Sequence, residues 1–511
     1  MTYEEIIKRY ESAKANKQSW DTHLKECYRY FMPERDTIDK RENGAKKREY
    51  VFDSTAQDSL EDFATRMESE LIPSNVDWMK LEAGSEVPQD KEETINTYLE
   101  DTTDIVFSHI RSSNFASQAH TAFLDLGVST GALIVEPGDG IQSNLNFRCV
   151  SLSEIYIEQT QQGIIRTVFR DFKLPVNDIK QIYKGAKLSQ KIEELLANKP
   201  TTEVSLIEGT IFNNGMYENV VISKDEKHFL IKETIESSPW VVFREATIPG
   251  ETYGRGRAMT ALPDVKSLNI IVRDYLKSLA WWSNPSFTAT DDGVINPYNY
   301  NVSPGTVHPV GSNSRDNPTL TPLQVGGNPT IAMDAIGRLQ DNIRRIMISK
   351  PFGNIEKTPV RTATEMSIRN ADMAKVSLGA SARIQNELME TLVARCVYIL
   401  KKAGKIADFK VDGKEVKIKY TSPSARMQDE QTLAALGRAM EMMMALPPEL
   451  VNEQIRMEDI PGEIVDVLGL PNRFKRTAEE KVIRQQQQAQ QQAQQQAQAQ
   501  AVVAQQGQPN G

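Results

Sequence analysis

The sequence predicts an α+β protein, and three observations carry that prediction. Apolar residues recur at three- and four-residue spacing through the first 130 residues. Short β-rich runs separated by Gly, Asn and Pro then follow between about 132 and 244, and helical periodicity returns from about Leu262. The chain has 511 residues, of which 39% are hydrophobic and 25% charged, enough apolar material for a sizeable core and for about three domains.

The elements follow in order. Tyr3 to Tyr30 reads as helix, with Ile6, Ile7, Tyr10, Trp20, Leu24, Cys27 and Tyr28 as its apolar set and Pro33 as its stop. A basic stretch with Lys40, Arg41, Lys46, Lys47 and Arg48 reads as a solvated loop. Asp53-Ser54-Thr55 predicts a helix start, and Leu60, Phe63, Met67 and Leu71 carry that helix to Pro73. Further helices are expected over 91–111 and 114–129. Strands are expected around Ala132–Val135 and over 147–158, 163–172, 204–212, 217–223, 228–235 and 240–244.

From about Leu262 to Trp282 a helix carries Val265, Leu268, Val272, Tyr275, Leu276 and Leu279 on one face. Residues 283–330 turn rich in Asn, Pro, Gly, Ser and Thr, which predicts a small β-containing projection. A second helix, 330–349, places Ile331, Ala335, Leu339, Ile343 and Ile346 on one side. Two helices flanking an excursion predict a paired stalk with a tip. Pro351, Gly353 and Pro359 break the chain into a loop, and Thr362 with Glu365 forms a capping box for a long helix to about Lys402, ended by Gly404. A hairpin is expected at 408–420 around Asp412-Gly413, then helices from Arg426. Met442-Met443-Met444 is expected as core filler, and the Gln/Ala-rich tail from 484 is either helical or disordered.

Candidate chemistry is sparse. There is no GxxxxGK[ST] and no HExxH, and the five histidines (His23, His109, His120, His228, His308) are scattered. Cys27, Cys149 and Cys396 lie far apart without CxxC spacing, which fits neither a disulfide framework nor a zinc site. Gly254-Arg255-Gly256 lacks the third glycine of a dinucleotide fingerprint and reads as a turn before a helix. Asp291-Asp292-Gly293 lacks flanking ligands and reads as a turn. No secretory h-region and no long apolar run are present, so no membrane span is expected. No enzyme activity, cofactor or metal is predicted; the expected role is mechanical or architectural.

Certain blocks are more specific as a set than singly. They are Trp20, Cys27-Tyr28-Arg29-Tyr30-Phe31-Met32-Pro33, Phe52-Asp53-Ser54-Thr55-Ala56, and Leu71-Ile72-Pro73 through Trp78. Two further blocks are Gly250 to Gly256 and Ala261-Leu262-Pro263-Asp264-Val265-Lys266-Ser267-Leu268-Asn269, and the last is Arg361-Thr362-Ala363-Thr364-Glu365. In this order the chain resembles the portal, or head-to-tail connector, proteins of short-tailed bacteriophages. One departure is Arg257, where family members often have proline.

The resemblance implies the phage portal fold: wing over 1–257, stem helix 258–282, clip 283–329, stem helix 330–349, tunnel loop 350–361, long wing helix and hairpin 362–425, crown 426–483, and a tail over 484–511 that is a helical barrel or disordered. It implies a homo-oligomeric ring, a dodecamer, at one capsid vertex of the virion, assembled in the host cytoplasm. Double-stranded DNA would pass through it in packaging and ejection. The implied partners are the terminase large subunit, a tail adaptor or head-completion protein, and the major capsid and scaffolding proteins, with no membrane. A virion adaptor or scaffold without DNA passage is the alternative.

Sliding DNA calls for weak phosphate contact, since each neutralised phosphate strengthens salt-sensitive binding. Each chain carries a net charge of −9, so a dodecamer would carry roughly −108 and repel DNA overall. The candidates for local guidance are Lys266, Arg273, Lys277, Arg338, Arg344, Arg345, Lys350, Lys357 and Arg361, most of which could instead pair with Asp264, Asp274, Asp334 or Asp341 between subunits or face solvent. Pro351, Phe352, Gly353 and Asn354 form the expected tunnel loop. Val265, Leu268, Val272, Leu276, Leu279, Leu339 and Ile343 are expected to pack the stem, and Trp281-Trp282 to anchor the clip.

Overall fold

Of the two compact units into which the chain divides, one comprises Met1–Thr65, His120–Leu133 and Cys149–Glu387, and the other Arg66–Ala119, Ile134–Arg148 and Leu388–Gly511. The structure is a computed structural model that describes residues 1–35, 50–183, 185–283, 287–289, 313–314, 317–318, 320–322, 329–348, 383–407, 416–421 and 437–442, with single positions at 464 and 484.

The first unit is built on an antiparallel meander of five strands in sequence order: β4 (Ile155–Gln159), β5 (Ile165–Pro175), β6 (Glu203–Asn213), β7 (Met216–Ser223) and β8 (His228–Ile235). Strand side chains alternate between faces, so each strand supplies two cores. Phe169, Ile207, Ile211, Val220 and Ile222 face α1 (Tyr3–Phe31), meeting Ile6, Tyr10 and Ala13. Phe172, Val204, Leu206, Val221 and Leu230 turn the other way, to Val176 and Ile179 of α5 (Val176–Ile182) and Ile192 of α6 (Gln190–Asn198). Opposite Phe169 stands Gly209, where a β-carbon would lie 3.0 Å from the ring.

Helix α1 starts as a capping box: Thr2 Oγ1 accepts from the Glu5 amide at 3.3 Å, and Glu5 Oε2 accepts from the Thr2 amide at 2.9 Å. Its one fully buried cation, Lys17, donates to the Leu152 carbonyl and sits 4.5 Å from the Tyr156 ring centroid. Helix α2 (Thr55–Leu71) opens where Asp53 Oδ1 accepts from the Thr55 amide at 2.9 Å.

In the second unit α3 (Gln89–Arg111) packs on β1 (Met79–Ala83), which pairs antiparallel with the strand Val416–Tyr420. The β1 amides of Leu81 and Ala83 donate to Thr103 Oγ1 (3.1 Å) and Asn96 Oδ1 (2.7 Å) of α3, which covers those two donors on the edge of β1. Trp78 and Phe107 stack edge-to-face at 5.3 Å. Among the described residues, no helix is long and apolar enough to cross a membrane.

The helices expected over 91–111 and 114–129 appear as α3 and α4 (Phe115–Val128). The expected 147–158 strand is two, β3 (Leu145–Cys149) and β4, broken by the turn at Ser151–Glu154. β1, α5 and α6 were not anticipated. Of the long helix expected from Thr362 to Lys402, residues 383–402 are described. Its Gln385–Glu390 part is a π-helical turn rather than α-helix, and Gly404 ends the helix at φ +69°. The second arm of the expected 408–420 hairpin is the strand paired with β1, while the arm before it lies outside the described residues. Met442 is mostly exposed and so no core filler of this chain; Met443 and Met444 lie outside the described residues.

Candidate functional site

The two predicted stalk helices are α7 (Arg257–Ser283) and α8 (Pro329–Ile346), which pack against each other. Their pairing is antiparallel: Arg257, first in α7, reaches the Ile346 carbonyl at the end of α8 (3.2 Å), and Asn342 donates to Asp264 one step further along. α7 begins five residues before Leu262 and runs through Pro263, which withholds one intrahelical hydrogen bond without ending the helix. At 1.5 Å per residue it is a rod of about 40 Å.

The root of α7 is set by a close backbone approach. Gly254 and Gly256 pass against the end of α4, where a β-carbon on Gly256 would lie 2.3 Å from the Gly127 carbonyl oxygen and one on Gly254 2.6 Å from the Ser129 carbonyl oxygen. Ser129 Oγ donates to the Gly254 carbonyl (2.7 Å), and the Gly254 amide donates to Thr130 Oγ1 (3.0 Å). Tyr253 is buried against Trp20 of α1, and Arg255 lies over the Trp20 ring while pairing with Glu251. The Gly-Arg-Gly turn is thus a packing device for a helix start.

The first half of α7 is embedded and the second half is not. Ala258, Met259, Ala261, Leu262, Val265, Leu268 and Asn269 are buried. Val272 and Tyr275 are half-buried, whereas Leu276, Trp281 and Trp282 are about half exposed (50%, 50% and 52%) and Leu279 is exposed as well. In α8, Ile343 is buried and Leu339 half-buried, while Ile331 (68%) and Met333 at the far end are open. The apolar stripe read from the sequence therefore runs past the chain's own packing. Between the helices in sequence, short antiparallel strands pair β10 (Phe287–Ala289) with β13 (Leu320–Pro322), and β11 (Asn313–Ser314) with β12 (Asn317–Pro318); the rest of the expected projection lies outside the described residues.

The stalk root also holds the N-terminal segment. Asn269 accepts from the Phe52 amide and donates to the Tyr50 carbonyl, both at 2.7 Å, and Gln340 donates to Asp53 at 2.8 Å. The segments around Phe52-Asp53 and Leu268-Asn269, more than 200 residues apart in the chain, thus meet in space.

Basic candidates on these helices have partners within the chain. Lys266 pairs with Glu26 at 2.6 Å, Arg273 with Asp274 at 2.9 Å, Arg338 with Asp334 at 2.9 Å and Arg344 with Asp341 at 3.8 Å. Arg345 donates to Asn342, and Lys277 is exposed and adds to the positive field at Asp274. Arg273 holds the Asp274 carboxyl below the usual range. Such surface pairs contribute little to stability. Arg344 and Arg345 stand in the last turn of α8, where cations suit the helix dipole. Lys350, Lys357, Arg361 and Pro351 to Asn354 lie outside the described residues.

Sequence reasoning missed the charged groups behind the stalk. Arg257 pairs with Glu245, and Arg244 with Glu387 at 2.6 Å. Burial pushes the Glu245 carboxyl up, and Arg257 pulls it partly back. Glu387 lies 143 residues from Arg244, so no local pattern signals that pair. Among the described residues no group of three or more His, Cys, Asp and Glu side chains could hold a metal ion.

The described site is an antiparallel helix pair whose root packs on α1 and the end of α4. The model of the bacteriophage head to tail connecting proteins matches residues 3–475, and the chain belongs to that family. A probable portal protein of Bordetella phage BPP-1 is 21% identical over 410 residues, covering 76% of this chain and 72% of its own length. Among solved structures, a chain of a native gene transfer agent virion aligns over 88% of this chain and 93% of its own, with 12% identity and a TM-score of 0.39. A chain from the neck of the native particle with C12 symmetry aligns over 82% and 92%, with 11% identity and a TM-score of 0.36.

Gly256→Ala should force apart the α4 end and the α7 root. Overpacking of this kind costs about 1–3 kcal/mol, so thermal melting of the full chain should shift down by several degrees. An unchanged melting temperature would contradict the close approach.

Proposed function

We propose that copies of this chain close into a ring, a dodecamer, at one capsid vertex of a short-tailed phage, and that the ring is the channel for double-stranded DNA in packaging and ejection. Residues 1–257 with 362–425 serve as wing, α7 and α8 as stem, 283–329 as clip, 350–361 as tunnel loop and 426–483 as crown. The clip docks the terminase and later the tail adaptor, and the ring sits among major capsid and scaffolding proteins. The protein supplies a conduit and no catalysis.

The observation that carries this reading is the stalk's unfinished packing. Leu276, Trp281, Trp282 and Ile331 are exposed on helices whose roots are buried. In a head-to-tail contact whose rotation closes, each such surface is covered by the next copy. Membership of the connector family supports the same reading. The DNA-facing groups are drawn from Lys266, Arg273, Lys277, Arg338, Arg344, Arg345, Lys350, Lys357 and Arg361. In a ring each becomes a circle of charge, and the acidic chain keeps total attraction low enough for sliding.

Two substitutions separate fold from assembly. Leu268→Asp places a charge where the side chain is 1% exposed and should abolish folding. Leu276→Asp changes a half-exposed side chain, so circular dichroism at room temperature should match the wild type while rings fail to form in size-exclusion chromatography. Normal rings from Leu276→Asp would refute the stem interface. Arg344→Glu combined with Arg345→Glu should leave ring assembly intact and reduce packaged DNA at least tenfold in an in vitro packaging assay. Undiminished packaging would remove both residues from the channel.

A further inference from the structure

The end of strand β9 (Trp240–Arg244) carries two buried, oppositely charged neighbours, Arg244 and Glu245, that bond to different parts of the chain. Arg244 has all five guanidinium donors engaged. Nε and one Nη2 hydrogen go to Glu387 (3.3 and 2.6 Å), the other Nη2 hydrogen to the Gly163 carbonyl (2.8 Å), and Nη1 to the Thr252 carbonyl (2.9 Å) and Gln159 Oε1 (3.2 Å). The Arg244 backbone amide also donates to Glu387 Oε2 at 2.9 Å, so the strand's main chain is fixed to that carboxylate. Glu245 accepts from Arg257 Nε at 2.5 Å, and Arg257 passes a second bond to the Ile346 carbonyl.

Both far ends are irregular. Glu387 lies in the π-helical turn Gln385–Glu390, a form rare in helices and concentrated where a special register is needed. Just beyond Ile346, the buried, β-branched Ile348 has φ +55°, a left-handed conformation that persists only when its surroundings enforce it.

We propose that the Arg244-Glu245 dipeptide is a coupling joint: it ties the end of α8 and the π-helical turn at Glu387 to one strand terminus, so that a shift at either is transmitted to the other. The physical ground is the rigidity between the two anchors. Consecutive Cα atoms joined by a planar trans peptide are held at a fixed separation, and a fully engaged guanidinium has no free donor with which to re-pair. Glu245 cannot follow a moving α8 without displacing the Arg244 amide that Glu387 holds. Residues 349–382 run between the two anchored flanks, so both flanks of that stretch refer to the same two residues. The joint does not depend on the ring reading, since all its contacts lie within one chain.

Coupling is reciprocal by thermodynamic necessity, which separates it from two independent staples. Hydrogen exchange of the full-length protein, read by mass spectrometry, supplies the test. Glu245→Gln should speed amide exchange at 385–390 as well as at 343–348, and Glu387→Gln should do the same from the other side. Each remote effect should be about fivefold or more. Protection in β6 and β7 reports that the fold is intact. Should either Gln variant lose it, Arg257→Lys, which keeps the charge but not the two-pronged geometry, replaces Glu245→Gln, and Glu387→Asp replaces Glu387→Gln. Remote acceleration in both directions supports the joint. Acceleration confined to each variant's own side overturns it.

Discussion

The stalk depends on one steric constraint: the main chain at Gly254–Gly256 and the main chain at Gly127–Ser129 come too close for a side chain on either glycine of the turn. That contact fixes where α7 starts, and hydrogen bonds through Ser129 and Thr130 hold it in place. Everything further along the helix follows from its root, including the pairing with α8, the capture of Tyr50 and Phe52 by Asn269, and the direction in which the exposed apolar residues run on. A glycine pair that resembles part of a nucleotide-binding fingerprint thus does mechanical work, and Trp20 and Tyr253 complete the seat.

A second theme is the division of charge. Exposed cations on α7 and α8 sit in short-range pairs with aspartates one turn or less away, an arrangement that keeps single contacts weak. The buried charges Arg244 and Glu245 and their half-buried partners Glu387 and Arg257 are different, because Arg244 and Glu245 would be costly if left alone and the four together link distant segments. The conduit proposed for this chain would draw on both, an adaptable surface and a framework that keeps its shape.

Much of this was legible in the sequence, for identifiable reasons. The meander strands are β-rich runs bounded by Gly, Asn and Pro, and the stalk helices carry apolar repeats at Val265, Leu268 and at Leu339, Ile343. Each signal is local. β1 was missed because it is five residues long and finds its partner strand more than 300 residues later. The π-helical turn was missed because Gln385–Glu390 has the composition of an ordinary helix, and its register is explained by Glu387 reaching Arg244. The apolar face of α7 is periodic only from about Leu262, whereas the close approach at Gly256 starts the helix at Arg257. The basic candidates were chosen by their place on the two helices, whereas the pairing of Arg257 with Glu245 carries no comparable local signal.

The central claim is that the stalk's exposed apolar ends are finished by neighbouring copies around an axial hole. Electron microscopy of the purified full-length protein tests it most directly. The account predicts closed rings with a hole wide enough for a DNA duplex, with α7 and α8 of adjacent copies in contact around it. A monodisperse monomer or dimer without a hole, under all solution conditions, would contradict it.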